Sequence, residues 1–136
     1  MAYLVDTNVL SELRKGVRCN PGVADWFAGS DDDALFLSVL VVGELHRGID
    51  RLRGRDPMSA NALNRWLANL LSTHEDRILP VTLPIARLWG SFGLERPVPS
   101  VDGLLAATAT HHGLVLVTRN VKDIIGTGVE YLNPFS

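Results

Sequence analysis

The stretch Leu114-Val115-Leu116-Val117-Thr118 sets four large aliphatic side chains in a row, with no polar residue among them. Successive side chains of a β-strand point to opposite faces of its sheet. A strand that is apolar at every position is therefore buried on both faces, as in a parallel sheet. Tyr3-Leu4-Val5 and Leu35-Phe36-Leu37-Ser38 read as two more strands, and Glu130-Tyr131-Leu132 as the last. Ile78-Leu79-Pro80-Val81 reads as a short strand that Pro80 restricts to an edge or an end.

Helices are predicted between these strands. Thr7 or Asn8 caps a short one over Val9–Arg14 that Gly16 closes, and Pro21 opens a second that passes Trp26 and Phe27 and ends near Gly29. Val41, Leu45, Ile49 and Leu52 recur at helical spacing over Val41–Arg53. Leu63, Trp66, Leu67, Leu70 and Leu71 do so over Ala60–Leu71. The turn Gly54-Arg55-Asp56-Pro57 joins these two into a hairpin. A helix over Pro84–Phe92 and a loop from Gly93 to Pro99 come next. Ser100 then caps a helix over Val101–His111 that Gly113 closes, and a helical turn spans Val121–Ile125. Strands alternating with helices predict an α/β fold around a parallel sheet. With no repeat, linker or low-complexity tract, one domain spans residues 1–136.

Composition narrows the class. A chain of 136 residues, 46% apolar and 21% charged, buries a sizeable core and is neither disordered nor collagen-like. Its one cysteine, Cys19, forms no internal disulfide and reads as a passenger. The longest apolar stretch, Leu35 to Gly43, is broken by Ser38 and too short to span a bilayer. The opening MAYLVDTNVLSEL has no basic start and carries an Asp within its apolar run, unlike a signal peptide. These features predict a cytoplasmic protein with no membrane partner. The net charge of −2 gives no general attraction for nucleic acid. Charge is nevertheless clustered: Arg14, Lys15 and Arg18 near the start, Arg47, Arg51, Arg53 and Arg55 mid-chain, and an acidic turn at Asp31-Asp32-Asp33. The basic clusters read equally as a local binding surface or as solvated helix faces.

Binding sites of parallel sheets lie beyond the carboxyl ends of the strands. Asp6 ends the first strand there. Glu44 lies one turn into the helix after the second, Asp102 in the first turn of the helix opened by Ser100, and Asn120 and Asp123 beyond Thr118. Taken singly, Glu44 can pair along its helix, Asp102 suits a helix N-terminus, and Asp123 can cap or face solvent. Asp6 is harder to dismiss, because a carboxylate after a fully apolar strand is costly without a positive or hydrogen-bonding partner. Clustered carboxylates repel, and a divalent cation resolves the repulsion. An oxygen-only set without Cys or His favours Mg²⁺ or Mn²⁺ over Zn²⁺. Ions held by Asp6, Glu44 and Asp102 could polarise a phosphodiester, orient a water and stabilise the leaving oxygen. His46 faces away from Glu44, and His74, His111 and His112 read as helix-end residues. No Gly-rich phosphate loop or nucleophile elbow is present.

LVDTNVLSEL at 4–13, SVLVVGEL at 38–45, VDGLLAATATHHGLVLVTRNVKDI at 101–124 and LNPFS at 132–136 resemble the PIN-domain family. The resemblance is strongest to its VapC branch, FitB-like members included, the ribonuclease toxins of type II toxin–antitoxin modules. D-T-N alone is a weak motif. Its ordered combination with the E-L, the D-x-x-x-A-A-T-A helix and the T-R-N turn is specific. The resemblance implies a three-layer α/β/α PIN domain and Mg²⁺- or Mn²⁺-dependent endonucleolytic cleavage of RNA. Asp6, Glu44 and Asp102 match the family's catalytic, metal-binding acids, and Thr7 and Asn8 match the polar pair that supports the first. Asn120 stands where many members have Asp and supplies no charge. Asp123 lies three residues on, and either can reach a metal through water.

The resemblance also implies a VapB-like antitoxin that wraps the toxin with a helix and sends a basic side chain into the acidic pocket. The hairpin of 41–53 with 57–75 is the expected receiving groove. Trp66 and Trp89 belong to that groove, to a homodimer face or to the core. Arg47, Arg51 and Arg55 lie beyond Glu44 at i+3, i+7 and i+11, a basic stripe if the helix extends that far. Arg47 or Arg51 is expected to hold the RNA backbone, so charge reversal at Arg51 weakens binding and its salt dependence. Two other classes compete. A Mg²⁺-dependent phosphatase of the haloacid-dehalogenase type needs a second Asp where Asn8 stands, and a receiver domain lacks its phosphoacceptor after Val81. A non-catalytic PIN-like RNA-binding or adaptor module has Asn120 in its favour and the three intact acids against it.

Overall fold

A computed structural model describes residues 1–136. Five strands are formed: β1 (Tyr3–Val5), β2 (Leu35–Ser38), β3 (Ile78–Leu79), β4 (Val115–Val117) and β5 (Tyr131–Leu132). Their spatial order is β3-β2-β1-β4-β5, and every pairing is parallel. Tyr3 lies between Leu35 on β2 and Val115 on β4. The strand order thus reverses at β1, so its carboxyl end is the topological switch point where α/β sheets place their ligands.

Seven α-helices connect the strands: α1 (Thr7–Leu13), α2 (Pro21–Ala28), α3 (Val39–Arg53), α4 (Pro57–Thr73), α5 (Leu83–Gly90), α6 (Ser100–His112) and α7 (Val121–Ile124). Crossovers between parallel strands are right-handed. The β1–β2–β3 crossovers therefore put α1 to α4 on one face, and the return to β4 and β5 puts α5 to α7 on the other. This is the expected three-layer α/β/α arrangement. The central strands carry the core: Leu4, Val5, Leu37, Leu116 and Val117 are almost wholly buried. Val9, Val41, Ala60 and Leu67 meet them from one layer, and Leu105, Ala106 and Ala109 from the other. The small residues of α6 let its backbone approach β1 and β4 closely. No helix is long and apolar enough to cross a membrane.

The boundaries depart from expectation where a polar group intervenes. Asp6, not Thr7 or Asn8, caps α1, accepting the Thr7 N–H, so that helix starts earlier. Ser38 caps α3 through the Leu40 N–H and starts it at Val39. Asp56 caps α4, which begins at Pro57 rather than Ala60. Ser100 is the first residue of α6 and not its cap, because the Pro99 carbonyl already accepts the Gly103 N–H at 2.8 Å. Pro80 ends β3 after two residues, since proline has no N–H for the ladder. Gly113 closes α6 with φ 67°, a left-handed turn that glycine adopts without strain.

Candidate active site

Asp6 is positioned by the sheet itself. Its N–H donates to Val117 O at 3.0 Å, continuing the β1–β4 ladder by one residue. Its carbonyl then opens α1 by accepting from Val9 and Leu10. The carboxylate is only 4% exposed. Three donors hold it: the Thr7 N–H at 2.7 Å on one oxygen, and on the other the Thr118 hydroxyl at 2.7 Å and the Asn8 amide at 3.3 Å. The Thr118 hydroxyl in turn accepts the Asn120 N–H at 3.0 Å, and Asn8 accepts the Arg119 N–H at 3.2 Å. The D-T-N start and the T-R-N turn, 112 residues apart at the Asp6–Thr118 bond, thus form one network.

Glu44 is tied to this network from α3, where its carboxylate accepts the Thr7 hydroxyl at 2.7 Å. Asp102 lies half-buried in the first turn of α6, with Asn120 at the start of α7 and Asp123 within it. Burial pushes the Asp6 carboxyl above the usual range, the Thr118, Thr7 and Asn8 donors pull it back, and the Glu44 charge adds to the rise. Burial likewise raises Asp102. The Asp6 charge raises it further, the facing Asn120 amide opposes, and Asp123 and Glu44 add smaller pushes. The acids from β1, α3, α6 and α7 therefore sense one another across the sheet edge. None of Asp6, Glu44 and Asp102 is paired with a cationic side chain.

No three carboxylate, imidazole or thiol groups form a ready-made ligand set. Mg²⁺ does not need one, because it keeps several waters and is held by one or two carboxylates with substrate phosphates. Hard oxygen donors, mutual repulsion and the lack of an internal counter-ion fit such a cation. None of the four histidines joins the site: His74 is buried with Nδ1 on Leu70 O at 2.9 Å, His46 pairs with Asp50, and His111 and His112 pack on each other.

Two clefts flank the α3/α4 hairpin. One, of about 360 Å³ and mostly apolar, is bounded by Leu10, Leu13, Phe27, Trp66 and Leu70. The other, of about 340 Å³, starts at Thr7 and Glu44 and runs between α1 and the hairpin to Arg14, Arg55 and Trp66. Arg47 and Arg51 are exposed but do not line it. The helix stops at Arg53, so Arg55 belongs to the turn and not to a continuous stripe. Trp89 is partly exposed and lies against Gly103, where a Cβ would come within 3.0 Å of its ring. Thr118 is a site residue that the sequence does not single out. Its only signal is its place in the T-R-N turn.

A model of the PIN domain family matches residues 3–122, a span that takes in Asp6, Glu44, Asp102 and Asn120. The chain belongs to the PIN-domain family. This PIN domain is 28% identical to the VapC ribonuclease Y4jK of Sinorhizobium fredii, with 97% of this chain and 96% of that protein aligned. It is 29% identical to toxin FitB of Neisseria gonorrhoeae, with 97% of each chain aligned. The crystal structure of FitAcB from Neisseria gonorrhoeae matches it with a TM-score of 0.88 at 30% identity over 97% of both chains. The structure of VapBC-1 from nontypeable Haemophilus influenzae shares the fold, with a TM-score of 0.75 at 23% identity over 98% of both chains.

Proposed function

We propose that this PIN domain is the toxin of a type II toxin–antitoxin module, an endoribonuclease that a cognate antitoxin neutralises. The observation that carries the reading is the pair of carboxylates at the switch point, Asp6 from the end of β1 and Glu44 from α3, which Thr7 bridges and no internal cation neutralises, with Asp102 of α6 near enough for its charge to be felt. The full-length likeness to a VapC ribonuclease and to toxin FitB supports it. Asp6, Glu44 and Asp102 would hold Mg²⁺, for which Mn²⁺ substitutes, with Asn120 and Asp123 reaching it through water. The bound ion supplies Lewis-acid stabilisation of a phosphodiester and lowers the pKa of a water. Thr7 fixes both Asp6 and Glu44, Asn8 ties Asp6 to the Arg119 backbone, and the Thr118 hydroxyl favours the ionised form of Asp6 against the effect of burial. Arg47 and Arg51, exposed on the helix that bears Glu44, add positive charge to the approach of the RNA.

The antitoxin fits the apolar cleft beside α4, whose lining suits the apolar face of a helix. The protein acts in the cytoplasm, where RNA is met, and pairs with a second copy through the face bearing Trp89 and Leu83. Cleavage of a labelled RNA by the purified chain with Mg²⁺ or Mn²⁺ tests the reading. The parent is expected to cut, and Asp6→Asn to lose at least a hundredfold in rate. Equal cleavage by parent and variant would remove Asp6 from the mechanism. Release of phosphate from a small ester without RNA cleavage would replace the nuclease with a phosphatase.

A further inference from the structure

The groove that leaves Glu44 differs from the other cleft in kind. Its floor is apolar, built from Leu45, Ile49 and Leu63. Its far end carries two arginines from different elements: Arg14, which ends α1, and Arg55, in the hairpin turn. Neither guanidinium is hydrogen-bonded or paired with a carboxylate. Asp56, close enough for the Arg55 charge to act on it, accepts from Ser59 with both oxygens as the cap of α4 and forms no ion pair with either arginine. Trp66 is half-buried at the same end, and a second hollow shares Arg14, Leu63 and Trp66 and adds Asp56 and Ser59, so the groove continues past the arginines.

We infer that this groove is the subsite for the RNA strand beside the scissile phosphate, with Arg14 and Arg55 gripping a backbone phosphate and Trp66 stacking a base. This rests on the ribonuclease reading above. The chemistry favours a nucleic acid over a polypeptide helix. Unpaired guanidiniums match phosphate, an aromatic platform beside cations is the usual means of holding single strands, and Thr7 and Glu44 at the groove's origin join it to the acidic centre. The strand thus crosses from an anionic catalytic end, which needs a metal to accept phosphate, to a cationic end that accepts phosphate directly. Contacts to a backbone phosphate and to the face of a base carry no sequence information, so grip here is insensitive to sequence.

The test measures binding apart from cutting. A fluorescein-labelled single-stranded RNA of mixed sequence is titrated by anisotropy, in Mg²⁺, against the intact chain carrying Asp6→Asn. Adding Arg14→Gln with Arg55→Gln is expected to weaken binding about tenfold or more and to lower the slope of log K against log salt by about 0.7, the value for one phosphate on a single strand. Trp66→Leu is expected to weaken binding at least fivefold, with the salt slope unchanged, since base stacking contributes about 1–3 kcal/mol. RNA bound equally well by all these proteins, with the parent still cutting RNA, overturns the subsite and assigns the groove to a polypeptide. Failure of the parent to bind or cut RNA at all is a different result, and it refutes the ribonuclease reading itself. The arginine changes lie on the surface, so they test the grip even where Trp66→Leu loosens the core.

Discussion

Thr118→Val isolates the bond that joins the two halves of the site. The side chain is 1% exposed, and valine nearly matches its volume, so the substitution opens no cavity. What is lost is one donor to a buried carboxylate, at 2.7 Å. A hydrogen bond to a charged group contributes about 1.5–3 kcal/mol, and a neutral one about 1 kcal/mol. The Asn120 N–H also loses its acceptor, but Asn120 is exposed and water replaces it. The expected cost at neutral pH is therefore about 2 kcal/mol, or roughly 5–10 °C in Tm for a chain of this size. The pH dependence is diagnostic. The Thr118 bond favours ionised Asp6, so its loss costs most above the native pKa of Asp6 and shrinks as pH falls through it. Urea unfolding of parent and variant at neutral and at acidic pH reads both quantities. Thr118→Ser keeps the donor and serves as control, with a small penalty for the lost methyl that does not change with pH. A neutral-pH loss below about 0.5 kcal/mol, or one of the same size at both pH values, would refute the reasoning.

Two further outcomes are expected at the site and the tail. Asp6 and Asp102 titrate above the ordinary carboxylate range. The metal-free native state thus holds protons that the unfolded chain has released, and its stability rises as pH falls from neutral through their native pKa values. Mg²⁺ at 100 times its Kd adds about 2.7 kcal/mol at neutral pH, and Asp102→Asn should melt above the parent in chelator yet below it in Mg²⁺. Melts that do not cross would detach Asp102 from the ion. At the other end, a Cβ on Gly22 would lie 2.3 Å from Pro134 O, where the C-terminal residues close over Asn20. Gly22→Ala should cost about 1–3 kcal/mol by overpacking, measured by urea unfolding, and an unchanged midpoint would show that the tail shifts freely.

Local signals carry most of the architecture. β4 is legible because an unbroken aliphatic run has only one kind of surroundings, and Asp6 because a carboxylate after such a strand demands partners. The acids at the βα junctions are legible once the sheet is known to be parallel, since all junctions then share an edge. The partners of Asp6 are less so. Thr118 looks like any strand-ending threonine until β4 is known to lie beside β1, which is a fact of pairing and not of sequence distance. Caps shift by a residue at both α1 and α6: Asp6 accepts the Thr7 N–H with its own carboxylate, whereas at Pro99 the backbone carbonyl starts the helix without a side-chain cap. Arg55 reaches the groove because α3 stops at Arg53 and the turn sends the chain in a new direction. Periodicity assumes an unbroken helix and so points along the exposed face to Arg47 and Arg51.

The placement of β1 between β2 and β4 has a consequence for biosynthesis. Asp6 is synthesised 112 residues ahead of the hydroxyl that holds it, and its neighbouring strand lies at residues 115–117. A nascent chain that has not yet released Leu114 has an acid without its clamp and a central strand with one side bare. The acidic centre is then assembled only once the chain through Thr118 is free to pair with β1.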